Sequence, residues 1–315
     1  MRRRVLWGLG LGALVFVGLA VYGKAPAIAQ AISAFNILLL PLALGLSCGN
    51  YALRFAKWQY YLGALNISVP RGQSLRVFLS GLTLSITPGK VGELLKSFLL
   101  RELRAVPLAH SAPIVFAERL TDLIAIVVLC AGGAVAFGFG WRALAVAGGL
   151  CAGLIAGASS RRAAEIVARQ VGRWPRLEGL EQAAIDASES AICLLRPKRL
   201  ALATALSVAA WFCECAELYV VLRGLGEGVE FLQAVFTYAL ATLVGALTLL
   251  PGGLVTTEGS MAGLLQQFGA GRAGAAAATL IVRACTLWFA VAIGVVVLGY
   301  VARELGREQQ GELCA

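Results

Sequence analysis

Two stretches carry the residue types that could do chemistry in this chain. The first is Ser85-Ile86-Thr87-Pro88-Gly89-Lys90-Val91-Gly92-Glu93-Leu94-Leu95-Lys96, and the second is Leu249-Leu250-Pro251-Gly252-Gly253-Leu254-Val255-Thr256-Thr257-Glu258. Each Pro-Gly ends an apolar run and is followed within a few residues by a glutamate. Proline removes a backbone donor and glycine relaxes the dihedrals, so a helix is expected to break at both places. Broken backbone at membrane depth survives only where protein or a wet cavity covers it. Two breaks in corresponding positions of two halves are the sequence signature of a transport site. Further charges sit inside apolar runs: the cations Lys90, Lys96, Arg119 and Arg283, and the acids Glu93, Glu118, Asp122, Glu214, Glu217 and Glu258. A charge at a helix centre costs about 2.5–3.5 kcal/mol even on the lenient insertion scale, so such a set needs partners or a cavity.

The helical spacing suggests those partners. Glu118 and Asp122 are one turn apart and share a face, and Arg119 beside them can reach a carboxylate of the first break, for instance Glu93. Arg283 lies about ten residues into its span, or ~15 Å at helical rise, and its natural partner is Glu258. The arm after each Pro-Gly begins a helix inside the membrane, and its free N–H groups and positive dipole end favour an anion. Lys90 and Lys96 add charge to the first arm, and Arg283 adds charge opposite the second. The candidate anion-binding set is Pro88, Gly89, Lys90, Gly92, Glu93, Lys96, Glu118, Arg119, Asp122, Pro251, Gly252, Gly253, Glu258 and Arg283. A phosphate headgroup suits such a site, because its lipid tails can stay in the bilayer while only the head needs a protected route. The bland alternative is that the ion pairs only tie the broken segments to the spans. Glu214 and Glu217, at i and i+3, could line a cavity or a proton path, or pair with a stray arginine.

Composition sets the elements that must position these residues. The chain is 59% hydrophobic and only 14% charged over 315 residues, with mean hydropathy +0.81. That is an all-α polytopic membrane protein. The net charge of +10 is read as loop charge on the inner face rather than as a nucleic-acid surface. Eight cysteines lie mostly singly in apolar runs, and Cys213 and Cys215 are too close for usual zinc spacing. They read as small core residues, and no metal site or cofactor is expected.

Taken in order, Val5 to Tyr22 reads as a retained first span, its rival being a cleaved signal peptide with residues 25–31 as the cleavage region. Ile32 to Leu53 is the second span, and Arg54, Lys57, Arg71 and Arg76 return the chain to the cytoplasm. Val77 to Leu100 is a re-entrant hairpin broken at Pro88-Gly89, followed by a span over Pro113 to Phe137, an outer turn at Trp141-Arg142, and a short span over Ala143 to Ala158. Residues 159–199 are polar with helical apolar spacing, divided at Pro175. They read as two amphipathic helices at the cytoplasmic face or as a solvated linker. Leu200 to Leu222 spans again, Phe231 to Phe268 is the second hairpin, broken at Pro251-Gly252-Gly253, and Ala273 to Val301 is the last span. This places nineteen Lys/Arg in inner segments and four in outer ones, which supports six full spans plus two opposed hairpins with both termini cytoplasmic.

Each half, 1–137 and 138–302, thus reads span, span, hairpin, span within a single membrane domain over 1–315, and the two halves start on opposite sides. Arg119 lies 31 residues after Pro88 and Arg283 lies 32 after Pro251, which points independently to an inverted repeat.

With Pro88 to Glu93 and Lys96, then Glu118 to Asp122, then Leu250 to Gly253 with Glu258, then Arg283 and Trp288, the sequence resembles the lysylphosphatidylglycerol synthase transmembrane-region family, also described as flippase-like membrane proteins. The resemblance covers nearly the whole chain. It implies movement of a lipid between leaflets of the cell inner membrane. In bifunctional relatives that lipid is an aminoacylated phosphatidylglycerol made by a separate soluble domain. No such domain follows Val301 here, so aminoacyl transfer is not expected. Stand-alone members are associated with varied lipid pathways, so the implied cargo is an anionic or polyprenyl-phosphate type lipid, and a lipid-biosynthetic enzyme is a candidate partner. The competing functions are a non-catalytic scaffold for such an enzyme, an intramembrane enzyme on a lipid phosphate with Glu93, Glu118 or Asp122 as base, and a small-solute transporter.

Overall fold

The computed structural model describes residues 25–87, 92–160, 162, 165–166, 180–248 and 250–313, without the side chains of 180 and 305–313. Every regular element in these residues is a helix. The expected first span, residues 5–22, and the division at Pro175 lie outside them.

Two short pieces open the described chain. Helix α1 (Ala25–Ser33) leads into a 3-10 turn at Ile37–Leu39. Asn36 caps that turn, its Oδ1 accepting from Leu38 N at 3.2 Å, and its own N–H donates to Gly224 O at 2.9 Å. The second span therefore does not begin at Ile32. It is α2 (Leu40–Ala64), started by Pro41 in its first turn. It also does not end at Leu53: nothing between Leu53 and Gly63 breaks a helix, so α2 runs on through Arg54 and Lys57 and stops where Asn66 takes a left-handed φ of 56°.

Helix α3 (Arg71–Gly81) and α4 (Leu95–Arg104) flank the first break and pack on each other. Between them the chain makes a 3-10 turn at Leu82–Leu84. Thr87 then ties off the break, donating to Leu84 O at 2.7 Å and accepting from Gly92 N at 2.8 Å. Pro88 to Val91, the tip itself, lie outside the described residues. Helix α5 (Leu108–Phe137) starts five residues before the expected Pro113, with Pro107 at its cap and Pro113 accommodated inside. Gly138 and Gly140, both at positive φ, make the turn expected at Trp141-Arg142, and Trp141 instead starts α6 (Trp141–Ala158).

Of the polar segment, α7 (Leu180–Leu194) packs along α5 and buries Ser190 and Leu194, so this part is no free linker. Helix α8 (Pro197–Gly224) is the fourth long apolar helix. Helix α9 (Phe231–Leu247), started by a capping box between Glu230 and Gln233, and α10 (Thr256–Gln267) form the second hairpin around a 3-10 turn at Pro251–Gly253. Helix α11 (Arg272–Arg283) continues through a π-turn at Ala284–Trp288 into α12 (Phe289–Leu313). Five helices among the described residues are long and apolar enough to cross a membrane: Ile37–Ala64, Leu108–Phe137, Trp141–Ala158, Pro197–Gly224 and Arg272–Glu304.

Apolar burial alone does not hold helices together in lipid, where close approach and hydrogen bonds decide. Helix α11 buries Gly274 to Thr279, a run of small residues that lets α1, α8 and α10 pack tightly on it. Gly294 of α12 lies so close to the backbone of Thr83 that an added methyl would collide with it. Thus α12, from the end of the chain, packs on α3 and the first break, while α5 packs on α9 of the second hairpin. Helices α2 and α8 make the most extensive contact of all. Outside the core, Arg76 of α3 grips Glu304 of α12 with two hydrogen bonds of 2.6 and 2.7 Å.

Candidate functional site

Helix α2 carries a polar stripe at helical spacing: Ser47, Asn50, Tyr51, Arg54, Lys57, Trp58 and Tyr61 are all buried. Its C-terminal half meets α5, α4 and α8. There Lys57 Nζ lies 2.6 Å from Asp122 Oδ1 and 2.6 Å from Ser207 Oγ, with Thr121 Oγ1 at 3.3 Å. Ser207 donates in turn to Asp122 Oδ1 at 3.0 Å. Arg54 Nη2 bridges Glu93 and Asp122, 3.7 Å from each. Arg119 Nη2 reaches the same two carboxylates at 3.1 and 3.0 Å. Lys96 pairs with Glu118 in a very short contact and lies 3.6 Å from Glu93. Its ammonium also sits over the Trp58 ring, 4.8 Å from the centroid, and Trp58 Nε1 donates to Ser74 at 3.0 Å. The stem of Lys96 runs across Gly81, where a side chain would block it.

In these ion pairs four cations, Arg54, Lys57, Lys96 and Arg119, face three carboxylates, Glu93, Glu118 and Asp122. All are buried except Arg119, whose side chain is 21% exposed. Within these ion pairs the cations outnumber the carboxylates by one, and the one accessible member is a guanidinium, suited to bidentate recognition of a phosphate or carboxylate.

The second centre is simpler. Arg283 Nε donates to Glu258 Oε1 at 2.6 Å, and Nη2 donates to Gly252 O at 2.9 Å. The turn that presents this carbonyl needs positive φ at Gly252 (61°) and Gly253 (66°), and Val255 follows at φ 76°. Only glycine takes this conformation without cost, so Val255 is strained. Glu258 lies in the first turn of α10, where the sequence reading reserved the dipole end for a ligand anion. In this conformation Glu258 itself occupies that end, and its Oε2 is buried with no hydrogen-bond partner.

The two breaks touch. A side-chain carbon built on Gly252 would lie 3.4 Å from Ile86 Cα, and Leu287 closes the same contact. The neighbours that meet Gly252 here, Ile86 and Leu287, are apolar. Elsewhere in the core, Tyr238 donates to Glu214 Oε2 at 2.6 Å.

Of the residues singled out from the sequence, Glu93, Lys96, Glu118, Arg119 and Asp122 are brought together at the first centre. Gly252, Glu258 and Arg283 are brought together at the second, on the turn made by Pro251 and Gly253. Gly92 spends its N–H on Thr87. Pro88, Gly89 and Lys90 lie outside the described residues. The sequence reading missed Arg54 and Lys57 by placing them in a cytoplasmic loop. The signal was available: they continue the stripe Ser47, Asn50, Tyr51 at helical spacing, with no glycine or proline before Gly63. Four of the seven cysteines described, Cys130, Cys151, Cys215 and Cys285, are buried in the packing.

Residues 5–294 match the family described as the lysylphosphatidylglycerol synthase TM region. Two curated matches are named UPF0104 membrane protein, both from Methanothermobacter thermautotrophicus. One is 36% identical over 100 residues, covering 32% of this chain and 30% of the relative. The other is 26% identical over 140 residues, covering 44% of this chain and 41% of the relative. The aligned stretches thus span less than half the length of the curated relatives.

Proposed function

The chain belongs to the lysylphosphatidylglycerol synthase TM region family of multi-pass membrane proteins, and from that premise we propose that it moves the headgroup of an anionic or phosphate-linked lipid between leaflets. The observation that carries the reading is the meeting of two helix breaks, Ile86 against Gly252, each followed in the chain by a glutamate held by an arginine, Glu93 by Arg119 and Glu258 by Arg283. Arg119 offers the first contact to a headgroup. Arg283 receives it next, when Glu258 gives way and the apolar contact between the breaks opens. The tails stay in lipid throughout.

The architecture behind this reading is an inverted repeat of six spans and two re-entrant hairpins. Its support is the exchange of partners: α12 covers the first hairpin, α5 covers the second, and α2 pairs with α8 at the centre. Helices α1 and α7 take matching places on α11 and α5. The setting is the cell inner membrane with both termini cytoplasmic. The chemistry is transport rather than catalysis, since the three carboxylates of the first centre are held by cations and are poorly placed to act as bases.

The test is leaflet exchange in proteoliposomes carrying fluorescent headgroup-labelled phosphatidylglycerol, read by quenching from outside. Arg119→Ala, Arg283→Ala and Glu93→Gln are each expected to slow exchange about tenfold, the weight of one lost charge-assisted contact. Exchange unchanged in all three folded variants rejects the proposal.

A further inference from the structure

A buried carboxyl on α8 belongs to neither cation centre. Glu217 of α8 is fully buried and joins none of the ion pairs among the described residues. Its Oε2 lies 2.7 Å from Ser47 Oγ, and its Oε1 is buried with no hydrogen-bond partner. Ser47 Oγ lies at the same time 2.9 Å from the carbonyl oxygen of Cys285. That carbonyl is in the π-turn Ala284–Trp288, where the widened ladder leaves backbone oxygens available to partners outside the helix. Its neighbour, Thr286 O, accepts from Tyr51 at 2.8 Å.

Counting hydrogens favours a protonated Glu217. Ser47 has one hydroxyl hydrogen, and a carbonyl oxygen can only accept. If Glu217 were ionised, both neighbours of Ser47 would be acceptors and would have to share its single hydroxyl hydrogen, which weakens both contacts. Each contact is a full, unshared hydrogen bond when Glu217 Oε2 carries a proton and donates it to Ser47 Oγ, while Ser47 donates to Cys285 O. Charge balance agrees. Among the described residues the buried acids Glu93, Glu118, Asp122, Glu214, Glu217 and Glu258 outnumber the cations Arg54, Lys57, Lys96, Arg119 and Arg283 by one, and Glu217 is in none of the ion pairs described. An ionised carboxyl in that position would be buried with no compensation.

We propose that Glu217 is a proton-binding site, occupied in this conformation, and that its proton is the ion coupled to headgroup movement. The groups facing it from each packed element fit a site that gains and loses a proton. Helix α2 supplies Ser47 and Tyr51, and the π-turn supplies Cys285. Helix α9 supplies Tyr238, which holds Glu214 one turn away on α8. Cys213 lies on α8 itself, α5 brings Cys130 against Cys215, and Arg283 ends α11 directly before the π-turn. When the proton leaves, Ser47 turns its hydroxyl to the carboxylate and releases Cys285 O. The turn that carries Arg283 then loses a tether. Only this coupling rests on the transport reading; the bound proton does not.

Two measurements separate them. Infrared difference spectra of the full chain in lipid should show a protonated carboxyl C=O band that shifts in D2O and is missing in Glu217→Gln. In Ser47→Ala the band should move to higher frequency, because the acid loses its acceptor. If the Glu217→Gln spectrum keeps every such band, the proton site is refuted, whether or not any lipid moves. In proteoliposomes with labelled phosphatidylglycerol, an imposed pH gradient should change the exchange rate of the wild type severalfold and leave Glu217→Gln unresponsive. Equal responses in the two, including no response in either, overturn the coupling.

Discussion

Arg283 and Glu258 form the one buried pair that can be dissected cleanly, since among the ion pairs described each has only the other. Removing one member of a buried pair costs about 3–5 kcal/mol, because a lone charge is left behind, whereas replacing both by apolar groups is often neutral. Arg283→Met alone is therefore expected to lower thermal stability in detergent sharply. Adding Glu258→Leu should restore most of the loss. If the pair only fastens a hairpin to a span, the restored double variant also regains leaflet exchange; on the transport reading it stays inactive. Asp122 behaves differently because it touches Arg54, Lys57, Arg119 and Ser207 together. Asp122→Asn leaves four cations against two carboxylates. It is expected to unfold the first centre at lower temperature than Lys57→Met, which leaves three against three, as differential scanning of the two variants would read. At this scale the sequence was half legible. The acids and arginines beside the Pro-Gly motifs stand out because they interrupt apolar runs. Arg54 and Lys57 did not stand out by hydropathy, because a charge at the end of an apolar run looks the same whether the helix stops or continues; only their helical spacing from Ser47 and Asn50 marks them.

At the scale of elements, the two breaks were legible because their causes are local. Proline and glycine act on their own backbone, and Gly252 and Gly253 take the positive φ that such a turn requires. Gly252→Ala is expected to cost about 1–2 kcal/mol from the left-handed backbone, since the added methyl would meet Ile86 only at ordinary contact distance, 3.4 Å. Gly294→Ala should be worse, though its own backbone is helical, because the added methyl meets the backbone of Thr83 rather than a mobile side chain. Both are checked by the midpoint of thermal unfolding in detergent, and the order Gly294 worse than Gly252 is the informative result. Helix ends were less legible. The limits of α2 are set by Pro41 at one end and the Asn66 turn at the other, whereas hydropathy alone placed them at Ile32 and Leu53. Helix α1 and the π-turn leave no local mark, since both depend on what packs against them: α1 lies on α11, and the π-turn is met by Ser47 and Tyr51 of α2.

For the whole molecule, moving Arg54 and Lys57 from a loop into α2 tests the orientation argument. It lowers the inner count of Lys/Arg from nineteen to seventeen against four outside, and the bias still holds. The exchange of partners between halves is a separate support, because packing of α12 on the first hairpin and α5 on the second does not depend on charge. The two arguments meet in one expectation: the loop before α9 and the end of α4 face opposite sides of the membrane. Gly228 is suited to the first position, with open space where a side chain would go, and Arg101 to the second, being exposed at the end of α4. In a background without native cysteines, Gly228→Cys should react with an impermeant maleimide added outside intact cells. Arg101→Cys should react only after the membrane is opened. Reaction of both from the same side would mean that the two hairpins enter from one face. The touching breaks would then be a fold contact and not the meeting point of two half-routes, and the headgroup path through Arg119 and Arg283 would fail with it.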